Sequence, residues 1–226
     1  MTLIDGVQHE VSDEAVVVRF REALTVVSSA LVGGGLATAR AIINLHVSKN
    51  WQPPPRGATS GWEAALADFV ARRALPAPYV GLCTSAWTQH AEVAFEEADD
   101  LRVLSLVSVG LGNPIAAGTS PVGAGHAPST INTIVVVDAR PSPAALVNLV
   151  VTVTEVKTAA LREAGLRCPD GRPATGTSTD AVVIAATGRG RPAEFGGPIS
   201  NLGGLVAHAT HRALGNGARA WMARHR

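Results

Sequence analysis

Cysteine is scarce in this chain, and no other metal-binding pattern makes up for it. The 226 residues include two cysteines, Cys83 and Cys168, which lie far apart and form no CxxC pair. This spacing argues against a zinc site and does not require a disulfide. His208 and His211 share a predicted helix face near the C-terminus, but no HExxH pattern accompanies them. We therefore expect no bound metal and no cofactor, and we interpret these two histidines as surface or ring-stacking residues.

An excess of charge and long apolar runs are also missing. Lysine and arginine total 19 and aspartate and glutamate 18, so the net charge of +1 implies no nucleic-acid-binding patch. Apolar residues make up 46% of the chain, which argues against disorder. The N-terminus lacks a charged region followed by an apolar one, and no apolar run approaches the roughly 20 residues that span a bilayer. The sequence thus predicts a cytoplasmic protein without nucleic-acid or membrane partners, while self-association into a homo-oligomer stays open.

Lysine is the rarest charged residue, since Lys49 and Lys157 are the two lysines among the 19 basic residues. Arginine cannot easily give up its proton, whereas lysine can. Lys157 is therefore a candidate for proton chemistry. The alternative is a structural lysine whose charged end reaches solvent from a helix.

The stretch from Ser129 to Gly188 is the most informative part of the chain. Its two short β-branched apolar runs, Ile131–Val137 and Ala181–Ala186, predict buried strands. Between them, residues 143–164 are long enough for a helix of about six turns. Ser142 is placed to cap this helix, and Gly165 stands where a helix C-terminal glycine belongs.

Polar side chains mark one face of this helix and the margins of both strands. Asn148, Thr152 and Glu155 fall at i, i+4 and i+7, so they share one face. Because the first half of the helix carries no charge, we expect it to be buried, and buried polar groups must find partners or line a cavity. The candidate site is this helix face together with the strand margins, which carry Ser129, Thr130, Asn132, Thr133, Thr175, Thr177, Ser178, Thr179 and Asp180.

The other segments predict strands and two further helices. Three glycines precede an apolar-periodic segment that predicts a helix from Leu36 to Val47, with Asn44 and a structural His46 near its end. A Ser60-capped helix is expected at Trp62–Leu75, and a last helix at Leu202–Leu214 begins after Ser200 or Asn201. Predicted strands are an edge strand or loose arm at 1–12, a hairpin or bent strand formed by Ala15–Phe20 and Leu24–Ser28, and Tyr79–Thr84, Ala91–Phe95 and Leu101–Val109.

These elements predict the α/β (α+β) class. Length and the lack of a linker favour a single domain over residues 1–226, with a core at about 15–214. We expect one mixed sheet of about six to eight strands with packed helices, among them a central buried helix at about 143–164.

Several segments together resemble the adenosylcobinamide amidohydrolase family. They are SSALVGGGLATARAIINLHV, SVGLGNP, STINTIVVV, TVTEVKTAAL, ATGTSTDAVVIAATG and NLGGLVAHAT, in the family's order. The pair TEVKTAAL and ATGTSTDAVV is the most distinctive. The chain departs from the family pattern at Val156, at Ser178 and in the segment GGPIS before the last helix.

This resemblance implies a defined reaction. The family hydrolyses the amide that joins a corrin propionate side chain to aminopropanol, giving adenosylcobyric acid and 1-amino-2-propanol for corrinoid (vitamin B12) salvage and remodelling. The partner would be a small-molecule corrinoid, and cobalt would enter only with that substrate. The substrate-binding candidates are Asn113, Thr130, Asn132, Thr133, Thr175, Ser178, Thr179 and Asn44.

Amide hydrolysis needs a nucleophile, a base, an oxyanion stabiliser and a proton for the leaving amine. The chain has no G-x-S-x-G motif. The catalytic candidates are Glu155 as a buried base, Lys157 as oxyanion stabiliser or activator of a hydroxyl, Thr177 or Thr175 as nucleophile, and Asp180. Asp180 can instead hold Lys157 in an ion pair, and Thr and Ser clusters are also ordinary turn formers.

Two other readings stay open. One is a corrinoid- or metabolite-binding module without turnover. The other is a self-processing hydrolase in which Thr175 or Thr177 becomes a new N-terminal nucleophile. Glu155 and Lys157 lie two positions apart on a helix and should not pair. Each is therefore expected to find its own partner in the strand margins.

Overall fold

One mixed sheet of eight strands forms the centre of the protein, as the sequence predicts. The computed structural model describes residues 3–48, 61–122 and 130–225. Two further pairs of two-residue strands lie outside the sheet. In chain order the strands are β1 (Val7–Val11), β2 (Ala15–Ser28), β3 (Gly35–His46), β4 (Tyr79–Thr84), β5 (Glu92–Ala98), β6 (Leu101–Val109), β7 (Pro114–Ile115), β8 (Ile131–Asp138), β9 (Arg140–Pro141), β10 (Gly176–Thr177), β11 (Ala181–Ala186) and β12 (Pro192–Ala193).

The strand order of the main sheet is β4-β3-β2-β11-β8-β6-β5, with β1 paired to β2. β8 and β11 are parallel and in register, with Ala181 opposite Asn132. Parallel neighbours need a crossover, and a helix provides it here. The described residues form three α-helices: α1 (Gly61–Arg72), α2 (Pro143–Glu163) and α3 (Asn201–Arg224).

The βαβ unit of β8, α2 and β11 confirms the sequence prediction in detail. The Ser142 hydroxyl accepts a hydrogen bond from the backbone N–H of Ala145 at 3.1 Å, so Ser142 caps α2. Gly165 follows the helix with a φ of 73°, a conformation that glycine adopts without strain. The β-branched strands are buried on both faces, as central parallel strands are.

Both faces of the sheet carry apolar layers. α2 and α3 pack on one face, where Val135 and Val137 point, while Ile134 and Val136 belong to a second cluster on the other face. α1 packs on the outer side of β2 and β3. The sheet is strongly curved. Its curvature brings Asn44 of β3 close enough to donate a hydrogen bond to Ser108 of β6 at 2.7 Å across the concave face, although these strands are not neighbours in the sheet.

The expectation that α2 is buried is correct for one face only. Leu149 is fully buried, but Val147 and Val151 are 56% and 50% exposed. By length and composition alone α2 could also cross a membrane, which corrects the expectation that no segment comes close. A core helix meets the same criterion, and α2 packs against both the sheet and α3.

The predicted helix Leu36–Val47 is wrong, since this segment is strand β3. β3 lies between β2 and β4 and is buried in its second half, and a strand buried on both faces has a continuous apolar pattern that a helix shares. Gly33, in the connection before β3, and Gly35, its first residue, have φ values of 69° and 87°, so these glycines serve the turn that leads into the strand.

Smaller differences concern the ends of elements. The two predicted runs near the N-terminus form one strand, β2, which is irregular between Arg19 and Leu24, and the N-terminal arm is strand β1. α3 continues to Arg224, ten residues past the predicted end at Leu214. The predicted cap Ser60 and the margin residue Ser129 lie outside the described residues.

Candidate active site

The carboxylate of Asp180 lies at the centre of the predicted polar cluster. Its Oδ2 accepts from the Lys157 ammonium at 2.5 Å and from the Thr177 backbone N–H at 3.0 Å. Its Oδ1 accepts from the Ile131 backbone N–H at 3.0 Å and from the Thr177 hydroxyl. One carboxylate therefore joins α2, the first residue of β8 and the turn before β11.

The Lys157–Asp180 ion pair is largely removed from water. The two side chains are 13% and 9% exposed. A buried ion pair is tolerated when further hydrogen bonds satisfy its atoms, and Asp180 has three such donors besides Lys157. Gly176 makes room for the pair, because a Cβ at this position would collide with Asp180 Oδ2 and come within 3.0 Å of Lys157 Nζ.

Two of the predicted substrate-binding hydroxyls are anchored to the segment around β7. The amide of Asn113 donates to the Ser178 hydroxyl at 2.6 Å. The Thr175 hydroxyl accepts from the Ala117 backbone N–H at 2.9 Å. This segment pairs with β10 in the register Gly176 opposite Ile115. The margins of β7 and β10 thus form one wall beside Asp180, and Thr179 is exposed next to it.

A second polar group lies on the concave face at the start of β8. The amide of Asn132 donates to Asn44 Oδ1 at 2.8 Å and to the Cys83 carbonyl at 3.1 Å. Thr130 donates to Asn132 Oδ1 at 3.4 Å, and Asn44 continues the chain to Ser108. Ser108 was missed as a site residue, although it begins the quoted segment SVGLGNP.

The two groups meet at β8, where successive residues point to opposite faces. Asn132 faces the concave side, while the backbone of Ile131 is held by Asp180. Thr133 is buried and, two positions from Ile131, faces the helix side. The structure therefore brings Lys157, Thr177 and Asp180 together around Ile131. Thr130 and Asn132 are the chain neighbours of Ile131, and Asn44 of β3 is hydrogen-bonded to Asn132.

Glu155 is not part of this arrangement. Its side chain is exposed, as is that of Asn148, so of the predicted buried polar face Thr152 alone is buried. The hydroxyl of Thr152 donates to the Gly196 carbonyl at 2.8 Å and so fixes a loop. The expectation that Glu155 finds a partner in the strand margins is wrong for the described residues, because Glu155 lies on the solvent-exposed side of α2.

The described residues contain no group of three or more His, Cys, Asp or Glu side chains that could hold a metal. The metal-free site stays a prediction. His208 is exposed, and His211 pairs with Glu163 at 2.7 Å on the surface. Burial raises the pKa of the Cys83 thiol to about 12, which makes it a poor nucleophile at neutral pH.

Comparison with known proteins identifies the family. The family model described as adenosylcobinamide amidohydrolase matches residues 2–226. The chain belongs to the adenosylcobinamide amidohydrolase family. A relative of that name from Halobacterium salinarum is 28% identical over 187 residues, which cover 80% of this chain and 74% of the relative. An uncharacterized protein from Methanocaldococcus jannaschii is 32% identical over 88 residues, 38% of this chain and 34% of that protein.

A solved structure supports the fold assignment. The crystal structure of the PH0078 protein from Pyrococcus horikoshii OT3 has a TM-score of 0.51 and 14% identity, and covers 95% of this chain and 79% of its own. This likeness concerns the fold alone. Membership of the adenosylcobinamide amidohydrolase family confirms the resemblance seen in the sequence, and with it a hydrolytic enzyme that acts on a corrinoid substrate.

Proposed function

We propose that this adenosylcobinamide amidohydrolase cleaves the amide between the corrin propionate and aminopropanol. The products are adenosylcobyric acid and 1-amino-2-propanol, and the acid re-enters corrinoid salvage. The family match over residues 2–226 supports the substrate. The observation that carries the chemistry is the hydrogen bond from the Thr177 hydroxyl to Asp180, because it pairs a hydroxyl with a proton acceptor beside a buried ammonium.

Each member of the cluster has a role in this proposal. The Thr177 oxygen attacks the amide carbonyl carbon while Asp180 takes the hydroxyl proton. The proton then passes to the nitrogen of the leaving aminopropanol as the C–N bond breaks, which leaves the acid esterified to Thr177. A water molecule then attacks the ester carbonyl carbon and gives a proton to Asp180. As the ester C–O bond breaks, Asp180 returns the proton to the Thr177 oxygen, which releases the acid and restores the Thr177 hydroxyl. Lys157 supplies positive charge next to the carbonyl oxygen as negative charge develops there.

The substrate-binding candidates have a complementary role. Thr175, Ser178 and Thr179 on one side and Thr130, Asn132 and Asn44 on the other carry hydroxyl and amide groups. A corrin ring bears several amide side chains, and such groups exchange hydrogen bonds with amides and hydroxyls. We assign these residues to orientation of the corrinoid rather than to bond cleavage.

The deciding experiment is incubation of the purified protein with adenosylcobinamide. We expect stoichiometric adenosylcobyric acid by chromatography and mass spectrometry, together with free 1-amino-2-propanol. In H₂¹⁸O the new carboxylate should gain one ¹⁸O atom, as hydrolysis requires. An intact corrinoid after long incubation, with binding retained, would establish the binding module without turnover instead.

The same preparation addresses self-processing. An intact-mass measurement should return the uncut chain, because the proposed nucleophile is the side-chain hydroxyl of Thr177, which needs no new N-terminus. A chain cut before Thr175 or Thr177 would replace this mechanism with one that uses a new N-terminus.

A further inference from the structure

A histidine and a tryptophan stack on each other beside the polar group of the concave face. The rings of His46 and Trp87 have centroids 4.6 Å apart and planes inclined by 15°. Trp87 is 58% exposed although it is large and apolar, while His46 is half-buried. His46 is at the end of β3 and Trp87 in the turn after β4. The two residues are 41 positions apart in the sequence, so the tertiary fold brings them together.

This pair adjoins the polar group formed by Asn44 and Asn132. His46 and Asn44 are two residues apart on β3, so they share one face and their Cα atoms are about 7 Å apart. Asn44 is hydrogen-bonded to Asn132, and the next residue back along β8, Ile131, is held by Asp180. Contacts from β3 through Asn44 and Asn132 to Ile131 therefore link the His46–Trp87 pair to Asp180.

Hydrogen bonding selects the tautomer of the neutral imidazole. His46 Nδ1 lies 3.0 Å from the Ala86 carbonyl oxygen, which is an acceptor, so Nδ1 carries the proton. A neutral imidazole then presents an unprotonated Nε2. Among the described residues no hydrogen bond to Nε2 is found. A histidine whose one nitrogen donates to a carbonyl is the arrangement that metal-ligating histidines adopt.

The substrate brings a metal that suits this nitrogen. A cobinamide lacks the nucleotide base, so the lower axial position of its cobalt is free or holds water. We propose that His46 Nε2 ligates the cobalt of the bound corrinoid at this position while Trp87 packs against the ring. The cobalt–oxygen bond to water breaks, the cobalt–nitrogen bond forms, and no oxidation state changes. This inference rests on the proposed function for the identity of the substrate.

Binding of the corrin ring at His46 would place the scissile side chain of the corrinoid near the catalytic cluster. The scissile amide stands several bonds outside the ring edge. A corrinoid held by cobalt at His46 extends this side chain around the start of β8 toward Asp180, because Asn44 and Asn132 are buried. Trp87 exposes 58% of its surface, and a bound ring would cover part of this apolar area.

Electron paramagnetic resonance of cob(II)inamide bound to the full chain tests the ligation. A nitrogen on the axial position splits the cobalt lines into triplets, and we expect triplets with the wild-type protein. Protein labelled with ¹⁵N-histidine should give doublets. His46→Ala should abolish the splitting, and added imidazole should restore it if the variant is folded by its melting curve.

The chain offers a matched control. His225 also stacks on a tryptophan, Trp221, at 3.9 Å and also directs Nδ1 to a backbone carbonyl, that of Trp221 at 2.8 Å. His225→Ala should keep the triplets. Trp87→Ala should weaken cob(II)inamide binding about tenfold, since it removes the ring that stacks on His46 and orients it, whereas Trp87→Phe should not.

The outcomes separate this inference from the proposed function. A wild-type protein that releases 1-amino-2-propanol but shows no nitrogen splitting overturns the ligation and leaves the amide hydrolysis standing. Triplets that persist in His46→Ala, or vanish in His225→Ala, also overturn it. Splitting that depends on His46 in a protein that forms no product supports the ligation and contradicts the hydrolysis.

Discussion

Replacing Lys157 by methionine tests whether the buried ion pair holds the site together. Methionine keeps an unbranched chain of similar length and removes the ammonium. Asp180 then loses the donor at 2.5 Å but keeps the backbone donors of Ile131 and Thr177 and the Thr177 hydroxyl. The negative charge of Asp180 is then stabilised by three hydrogen-bond donors but no longer by a cation.

The structure limits the size of the effect. Removing one partner of a fully buried ion pair costs about 3–5 kcal/mol. A hydrogen bond to a charged group is worth about 1.5–3 kcal/mol. The side chains are 13% and 9% exposed, and Asp180 keeps its three other donors, so we expect a loss of about 3 kcal/mol, where the two ranges meet. In a chain of 226 residues this lowers Tm by about 6–12 °C.

Urea unfolding measures this loss as a lower midpoint at an unchanged slope. Arg162→Met is the matched control, because Arg162 is an exposed cation near the end of the same helix, and it should stay within about 0.5 kcal/mol. Turnover of the folded Lys157→Met protein should fall by about 10²–10³-fold, as for the loss of one group that stabilises the oxyanion. A stability loss below about 1 kcal/mol would mean that the pair is solvated. Near-normal turnover would remove Lys157 from the mechanism.

Four further predictions address the site. Gly176→Ala should displace the Lys157–Asp180 ion pair and abolish turnover. Gly197→Ala is the control, because its Cβ would meet nothing within 4 Å, and equal activities of the two variants would contradict the close contact of Gly176 with the ion pair. Thr177→Val should lose turnover in the product assay and Thr177→Ser keep part of it, and an active valine variant would exclude the hydroxyl as nucleophile. With its pKa raised to about 12, the Cys83 thiol should resist iodoacetamide at pH 8 in the folded protein and react after unfolding, as peptide mapping would show. Prolonged dialysis against a chelator should leave turnover unchanged, and loss reversed by one divalent ion would reveal a catalytic metal.

Elements with local signals were predictable from the sequence. Ser142, Pro143 and Gly165 mark the ends of α2 by capping and backbone conformation, which depend on neighbouring residues alone. β8 and β11 have short β-branched apolar runs, and a helix of this length between them predicts a parallel pair.

β3 was not predictable by the same reasoning. Its sequence has apolar residues and alanines at spacings that fit a helix, and alanine favours helices. Two neighbours decide the outcome, because β2 and β4 supply hydrogen bonds along both edges of β3. The alternation of burial that would reveal a strand is absent where both faces are covered, as they are for Ile42 and Ile43.

In the site, too, positions set by neighbouring residues were predictable, and contacts between distant strands were not. Helix geometry alone places Glu155 and Lys157 about 200° apart around α2, so at most one of them can face the strand margins. Which one does so depends on where the sheet lies, and the first half of α2 is apolar nearly all round, so it does not reveal the direction. The position of Asp180 decides between them. Asp180 comes directly before β11, the strand on which α2 packs, so the helix residue that faces the sheet there, Lys157, is the one that meets it. The meeting of Asn44 with Asn132 has no such local signal, because these strands are not neighbours in the sheet and come together through its curvature.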